Sequence, residues 1–192
     1  MFTLEILDST RTMRRFALGM MLAFAPFIAF AVVDRLVGSM EGLFAGFAVS
    51  VVILTRDWLS AARKPKLLEI GTAILFGLLA GYAFVTGPAW SVIGVRLMVD
   101  AGLLMIVLTS LLFRQPFTLQ YAREQASEEA MRSPRFLRTN YVISAAWALT
   151  FALLVVADLV MLYLPDLHRF GIIVTILALV GAFKFTARYT SA

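Results

Sequence analysis

Residues 63–88 read RKPKLLEIGTAILFGLLAGYAFVTGP. Three cations, Arg63, Lys64 and Lys66, open the stretch. The run that follows, 67–85, carries one charged side chain, Glu69, and the segment closes on Gly87-Pro88, a breaker pair without charge. About 20 apolar residues at 1.5 Å per residue cover the ~30 Å of hydrocarbon in a bilayer. Basic residues mark the cytoplasmic end of such a run, and a Gly-Pro turn ends it. This one stretch therefore reads as a single membrane crossing whose basic end faces the cytoplasm.

The pattern repeats outward in both directions. Six apolar segments are expected to span, at 16–37, 38–55, 67–85, 90–113, 141–164 and 167–189. Of the 17 basic residues, fourteen fall on one side of these spans: Arg11, Arg14, Arg15, Arg56, Arg63, Lys64, Lys66, Arg114, Arg123, Arg132, Arg135, Arg138, Lys184 and Arg188. The other side holds Arg35 and Arg169, and Arg96 lies within a span. The fold class expected is an all-α, six-helix transmembrane bundle with both termini cytoplasmic. Ala29-Phe30-Ala31, after Arg14-Arg15, has the small-x-small form of a signal-peptide cleavage site. The arginine pair lacks the rest of a twin-arginine signal, so an ordinary first span is expected.

Composition agrees. The chain has 192 residues, 61% of them hydrophobic and 15% charged, against about 45–50% apolar and about 25% charged in a soluble domain. The isoelectric point near 10.0 points to anionic lipid headgroups and not to nucleic acid, because the positive charge sits at the ends of apolar runs; each surface cation there is worth roughly 1 kcal/mol. Arg14, Arg15, Arg63, Lys66, Arg135 and Arg138 are expected to face those headgroups. The absence of cysteine removes disulfides, thiolate metal sites and a cysteine nucleophile, and the lone His168 removes a bis-His haem. No cofactor and no metal are expected.

The whole chain, 1–192, reads as one integral membrane domain. Residues 1–15 form an interfacial arm, 16–113 hold spans one to four, 114–140 form a cytoplasmic connection, and 141–189 hold the last two spans. In the connection Pro116 is expected to open a helix running through Met131, and Ser133-Pro134 to close it. Its mixed acidic and basic residues read as a solvated face.

Charged side chains within hydrocarbon cost about 2.5–3.5 kcal/mol each on insertion scales. Arg96 and Asp100 lie four apart in the fourth span and share a helix face; Asp158 lies in the fifth, at similar depth. The first expectation is an internal ion pair, Arg96 with Asp100 or with Asp158, holding helices together. The extra carboxylate opens a second reading, a site for a headgroup, an anion or a proton, since an unpaired buried carboxylate favours its neutral form. Glu69 and Lys184, near helix ends, are expected to snorkel. The spacings Gly42–Gly46 and Gly77–Gly81 would allow close helix approach. No phosphate loop, dinucleotide fingerprint, zinc-protease or nucleophile-elbow motif is present, and an enzyme is not expected.

Basic-Pro steps follow the second and fourth spans, at Arg63-Lys64-Pro65 and Arg114-Gln115-Pro116. Arg138-Thr139-Asn140, Ala146-Trp147-Ala148 and Asp158 then come in order, and the last span opens on Phe170-Gly171. From Leu54 to Tyr189 this order and spacing resembles the bacterial intracellular septation protein A family. The positions that match by order are Lys64, Pro65, Pro116, Asn140, Trp147 and Asp158. Gln115 departs from the lysine usual in the family, about one helical turn is added between Asn140 and Trp147, and Asp158 stands where asparagine is usual. The resemblance implies a non-enzymatic inner-membrane protein that acts in septation or envelope assembly through contacts with other membrane proteins. A small transporter or channel built on Arg96, Asp100 and Asp158 is a separate reading, and an accessory subunit of an energy-converting membrane complex is a third.

Overall fold

Among the described residues the apolar runs fold into helices, and several of these stop at an identifiable backbone device, a left-handed Gly87 after the third run and a left-handed Arg114 after the fourth. The computed structural model describes residues 22–60, 65–87, 90–124, 126 and 128–191, and among these it contains helix and turn but no strand. The helices are α1 Ala25–Leu36, α2 Ser39–Leu59, α3 Leu67–Thr86, α4 Val92–Leu112, α5 Phe117–Arg123, α6 Glu128–Met131, α7 Pro134–Tyr163 and α8 His168–Ser191, with a 3-10 turn at Pro165–Leu167 before the last. Among the described residues five segments are long and apolar enough to cross a membrane: Ser39–Leu59, Leu67–Thr86, Val92–Leu112, Pro134–Tyr163 and Pro165–Thr190. These are the expected second to sixth spans. Of the first, α1 is seen over 12 residues, about 18 Å of helix; residues 16–21 and the arm at 1–15 lie outside the described residues.

α1 and α2 form a hairpin joined by Val37 and Gly38, with the Ser39 hydroxyl donating to Asp34 Oδ1 at 2.5 Å. Gly42 permits the contact, since a Cβ there would sit 3.0 Å from Phe30 O and from Asp34 N. Gly46 packs on the Phe76 ring and Gly77 on Phe47. Three of the four expected small positions thus mediate close approach. Gly81 faces open space, because the α2 ring that covers Gly77 lies one turn away from it.

The basic end of the bundle, where α2 meets α3 and α4 meets α7, departs most from the sequence expectation. α4 stops with Arg114 in the left-handed region at φ 56°, its N–H bonded to Leu111 O and the Gln115 N–H to Ser110 O. This closure satisfies the carbonyls of the last turn, and Pro116 cannot extend the helix. The chain turns back, and α5 buries Phe117, Thr118, Leu119 and Tyr121. The expected solvated helix through Met131 is therefore two short helices, and the first of them is core. Pro134 does not close a helix but opens one. It occupies the first turn of α7 behind Ser133, where its missing N–H costs nothing. α7 is 30 residues long, starting two turns before the expected span.

α7 is the central element, in contact with α4, α5 and α8. Trp147 is its anchor: 1% exposed, stacked on Phe24 with ring centroids 4.9 Å apart, edge-on to Phe183, and donating from Nε1 to Thr186 Oγ1 at 3.0 Å. A second cluster forms around Phe76, which meets Phe27 and Phe30 of α1.

Candidate functional site

Helical spacing puts Arg96 and Asp100 on one face of α4, and the α4–α7 contact sets that face against Asp158. Arg96 Nη2 lies 3.7 Å from Asp158 Oδ1. Of the two pairings the sequence left open, the salt bridge runs between helices. The Asp158 side chain is 0% exposed and Arg96 31%. Asp100 is partly buried and its carboxyl interacts with that of Asp158. No N–H or O–H donor reaches either Asp158 oxygen among the described residues. The three sequence-chosen residues thus come together, and one of them is left under-bonded.

A second ionic cluster sits at the basic end. Lys66 Nζ is 2.9 Å from Glu124 Oε1, 3.1 Å from Asp57 Oδ2 and 3.3 Å from Glu69 Oε1, and lies 4.9 Å from the centre of the Tyr121 ring. Arg56 Nη2 reaches Asp57 Oδ1 at 2.7 Å. Glu69 turns back to accept from the Lys66 backbone N–H at 3.1 Å, and it also accepts from the Tyr121 hydroxyl at 3.3 Å. Gln120 Oε1 accepts the Leu67 N–H at 2.8 Å. Burial opposes the charge on Lys66, but the Glu124, Glu69 and Asp57 carboxylates outweigh it and raise its affinity for the proton above that of an ordinary lysine. Burial, reinforced by Glu69, pushes the Tyr121 hydroxyl up and keeps it a neutral donor.

This cluster corrects two expectations. Lys66 does not face headgroups: its side chain is 6% exposed and bound to three carboxylates. Glu69 does not snorkel but is buried in the same network. Asp57, Tyr121 and Glu124 were not singled out from sequence. The available signal was Lys66 three residues before Glu69 at a helix start, a spacing that places a side chain over the first-turn backbone.

Arg135 and Arg138 are exposed. Arg14, Arg15, Arg63 and Lys64 lie outside the described residues. Of the other positions singled out by order along the chain, Pro116 and Asn140 are buried and Pro65 is exposed. Pro65 borders the α2–α3 turn and an open cleft of about 520 Å³ lined by Leu67, Ile70, Met105 and Gln120 among others. Pro116 precedes α5. Asn140 is buried, its backbone oxygen accepting from Thr118 Oγ1 at 2.9 Å. No group of three or more His, Asp or Glu side chains that could hold a metal occurs among the described residues.

No family model, curated protein or solved structure matches this chain.

Proposed function

We propose that the chain is a non-enzymatic, multi-pass protein of the bacterial inner membrane, with its basic end in the cytoplasm, acting through contacts with other membrane proteins in envelope assembly or septation. The observation that supports this best is the bracing of α5. The first N–H groups of that helix are received by hydroxyls of its neighbours, Phe117 N by Ser110 Oγ at 3.3 Å and Thr118 N by Ser144 Oγ at 3.4 Å. Thr118 Oγ1 sits 2.8 Å from Ser144 Oγ. Lys66 and Gln120 tie the far end of α5 to the start of α3. α5 is therefore held at both ends, and beyond it the connection carries exposed Glu128, Glu129 and Arg132; a polar surface beside a held helix recognises a partner at a lower ordering cost than a loose linker does.

Purification from the native membrane in mild detergent, with particle sizing and mass spectrometry, tests the reading. A large particle with companions at reproducible stoichiometry is expected, and loosening α5 by Thr118→Val with Ser144→Ala should release them while helix content stays unchanged. A small particle free of other proteins overturns it. Companions drawn from an energy-converting complex would replace the envelope role with that of an accessory subunit.

A small transporter or channel is the second reading, favoured by one observation: Asp158 is wholly buried, yet its cation partner Arg96 remains partly exposed. Polar residues inside a bundle mark ion and proton pathways in many membrane proteins. Flux lost in Asp100→Asn with the fold intact would support it.

A further inference from the structure

The Arg96–Asp158 contact leaves a chemical deficit. Arg96 brings one positive charge and the two facing aspartates bring two negative ones when ionised, in a region where an uncompensated charge is costly. At 3.7 Å the guanidinium is beyond hydrogen-bond range of Asp158. Both oxygens of Asp158 lack a donor although the side chain is fully buried. The neighbours on the other side do not close the gap. α8 packs here through Gly171 against Ala157 and Met161; it carries no charged residue from 170 to 183, and its buried Thr175 hydroxyl is itself without a hydrogen-bond partner. Asp166, His168 and Arg169, at the start of that helix, are exposed, and Arg96 is the ion-pair partner of Asp158 among the described residues. α7 itself holds no other charge between 139 and 163.

One species meets both deficits at once. We propose that Asp100 and Asp158 hold a single proton between them, carried on Asp100 and donated to Asp158, so that the α4–α7 contact is an internal proton-binding site. The proton adds the missing positive charge and the missing donor. Asp158 then stays an anion opposite Arg96, and Asp100 is neutral. A metal ion would fit less well, since hard cations such as calcium gather six to eight oxygens and two carboxylates supply four. Asp100 lies one turn from Arg96 on the same helix, so Arg96 can follow either carboxylate as the proton moves. The inference goes beyond the envelope role proposed above and does not depend on it.

Infrared difference spectroscopy on the full-length protein in phosphatidylcholine–phosphatidylglycerol vesicles, stepped from neutral to alkaline pH, tests it. A protonated-carboxyl C=O band is expected at neutral pH in the wild type, lost on alkalinisation and lost at all pH values in Asp100→Asn. The asparagine amide replaces the donor, so that variant should keep the wild-type melting temperature. Should it fail to fold, Asp158→Asn gives the answer: Asp100 then pairs with Arg96, ionises, and loses the same band. A band of unchanged intensity in either folded variant overturns the proposal. So does a wild type with no such band, and a melting temperature that then rises with sodium or potassium would make the occupant a metal cation.

Discussion

Two fully buried aspartates mark opposite ends of this bundle, and their surroundings differ. Asp57 is bridged by Arg56 at 2.7 Å and Lys66 at 3.1 Å, within a network that includes Glu69, Glu124 and Tyr121. Asp158 has one cation at 3.7 Å and no hydrogen bond. The contrast follows from where each lies along its helix. Asp57 is in the last turn of α2, where the chain leaves the helix and can bring Lys66 back from the start of α3. Asp158 lies within α7, and only side chains at helical spacing on its neighbours can reach it. A saturated network is a fastening. A buried carboxylate without a donor calls for a proton, a water or an ion to complete it, and that is what makes the α4–α7 site the chemically interesting one.

The largest effect should come from Lys66→Met. It leaves three carboxylates around an apolar side chain, and breaking a buried pair in this way costs about 3–5 kcal/mol, read as a fall in thermal or denaturant stability in detergent. The pH dependence of the same group sharpens the point. Lys66 holds its proton more tightly folded than unfolded, so its contribution is complete below about 10.4, the unfolded value of lysine, and drains away as pH rises through the higher folded value. Melting temperature should fall at strongly alkaline pH in the wild type, and that lysine-dependent part of the fall should vanish in Lys66→Met.

Arg96→Met breaks the weaker cluster and should cost less, on the order of 1–3 kcal/mol, because Asp158 can then take a proton and become neutral. Stability of this variant should rise as pH falls. Equal losses for Lys66→Met and Arg96→Met would erase the distinction between the two ends. Tyr121→Phe should have the smallest effect, about 1 kcal/mol for one lost bond to Glu69, measured by the same unfolding assay; a much larger loss would mean that the hydroxyl, and not Lys66, organises the network.

Much of the helical layout was legible in residues read one segment at a time. Gly87-Pro88, Pro165 and the basic junctions locate four of the five long apolar helices to within a few residues, because hydrocarbon thickness fixes the length and breakers fix the ends. Pro134 misled for a local reason: a proline that follows one helix and a proline that opens the next look alike in sequence. α5 misled for a different reason. Phe117, Leu119 and Tyr121 alternate along the chain and mark no single helical face, and α5 is received by α7, where Ser144 and Asn140 meet Thr118 from 22 to 26 residues further along. Arg96, Asp100 and Asp158 were legible as a group because charge is rare within the spans.

The sequence by itself determined the helices, their approximate ends and the few charges that must be accommodated between them, since each of these follows from local hydropathy, breakers and spacing. The tertiary structure alone decided the partners: that Arg96 faces Asp158 across two helices, that Lys66 turns inward to three carboxylates, and that α5 is core. Partnership is a property of how helices are arranged around one another, and spacing along a single helix carries no record of which neighbour its face will meet.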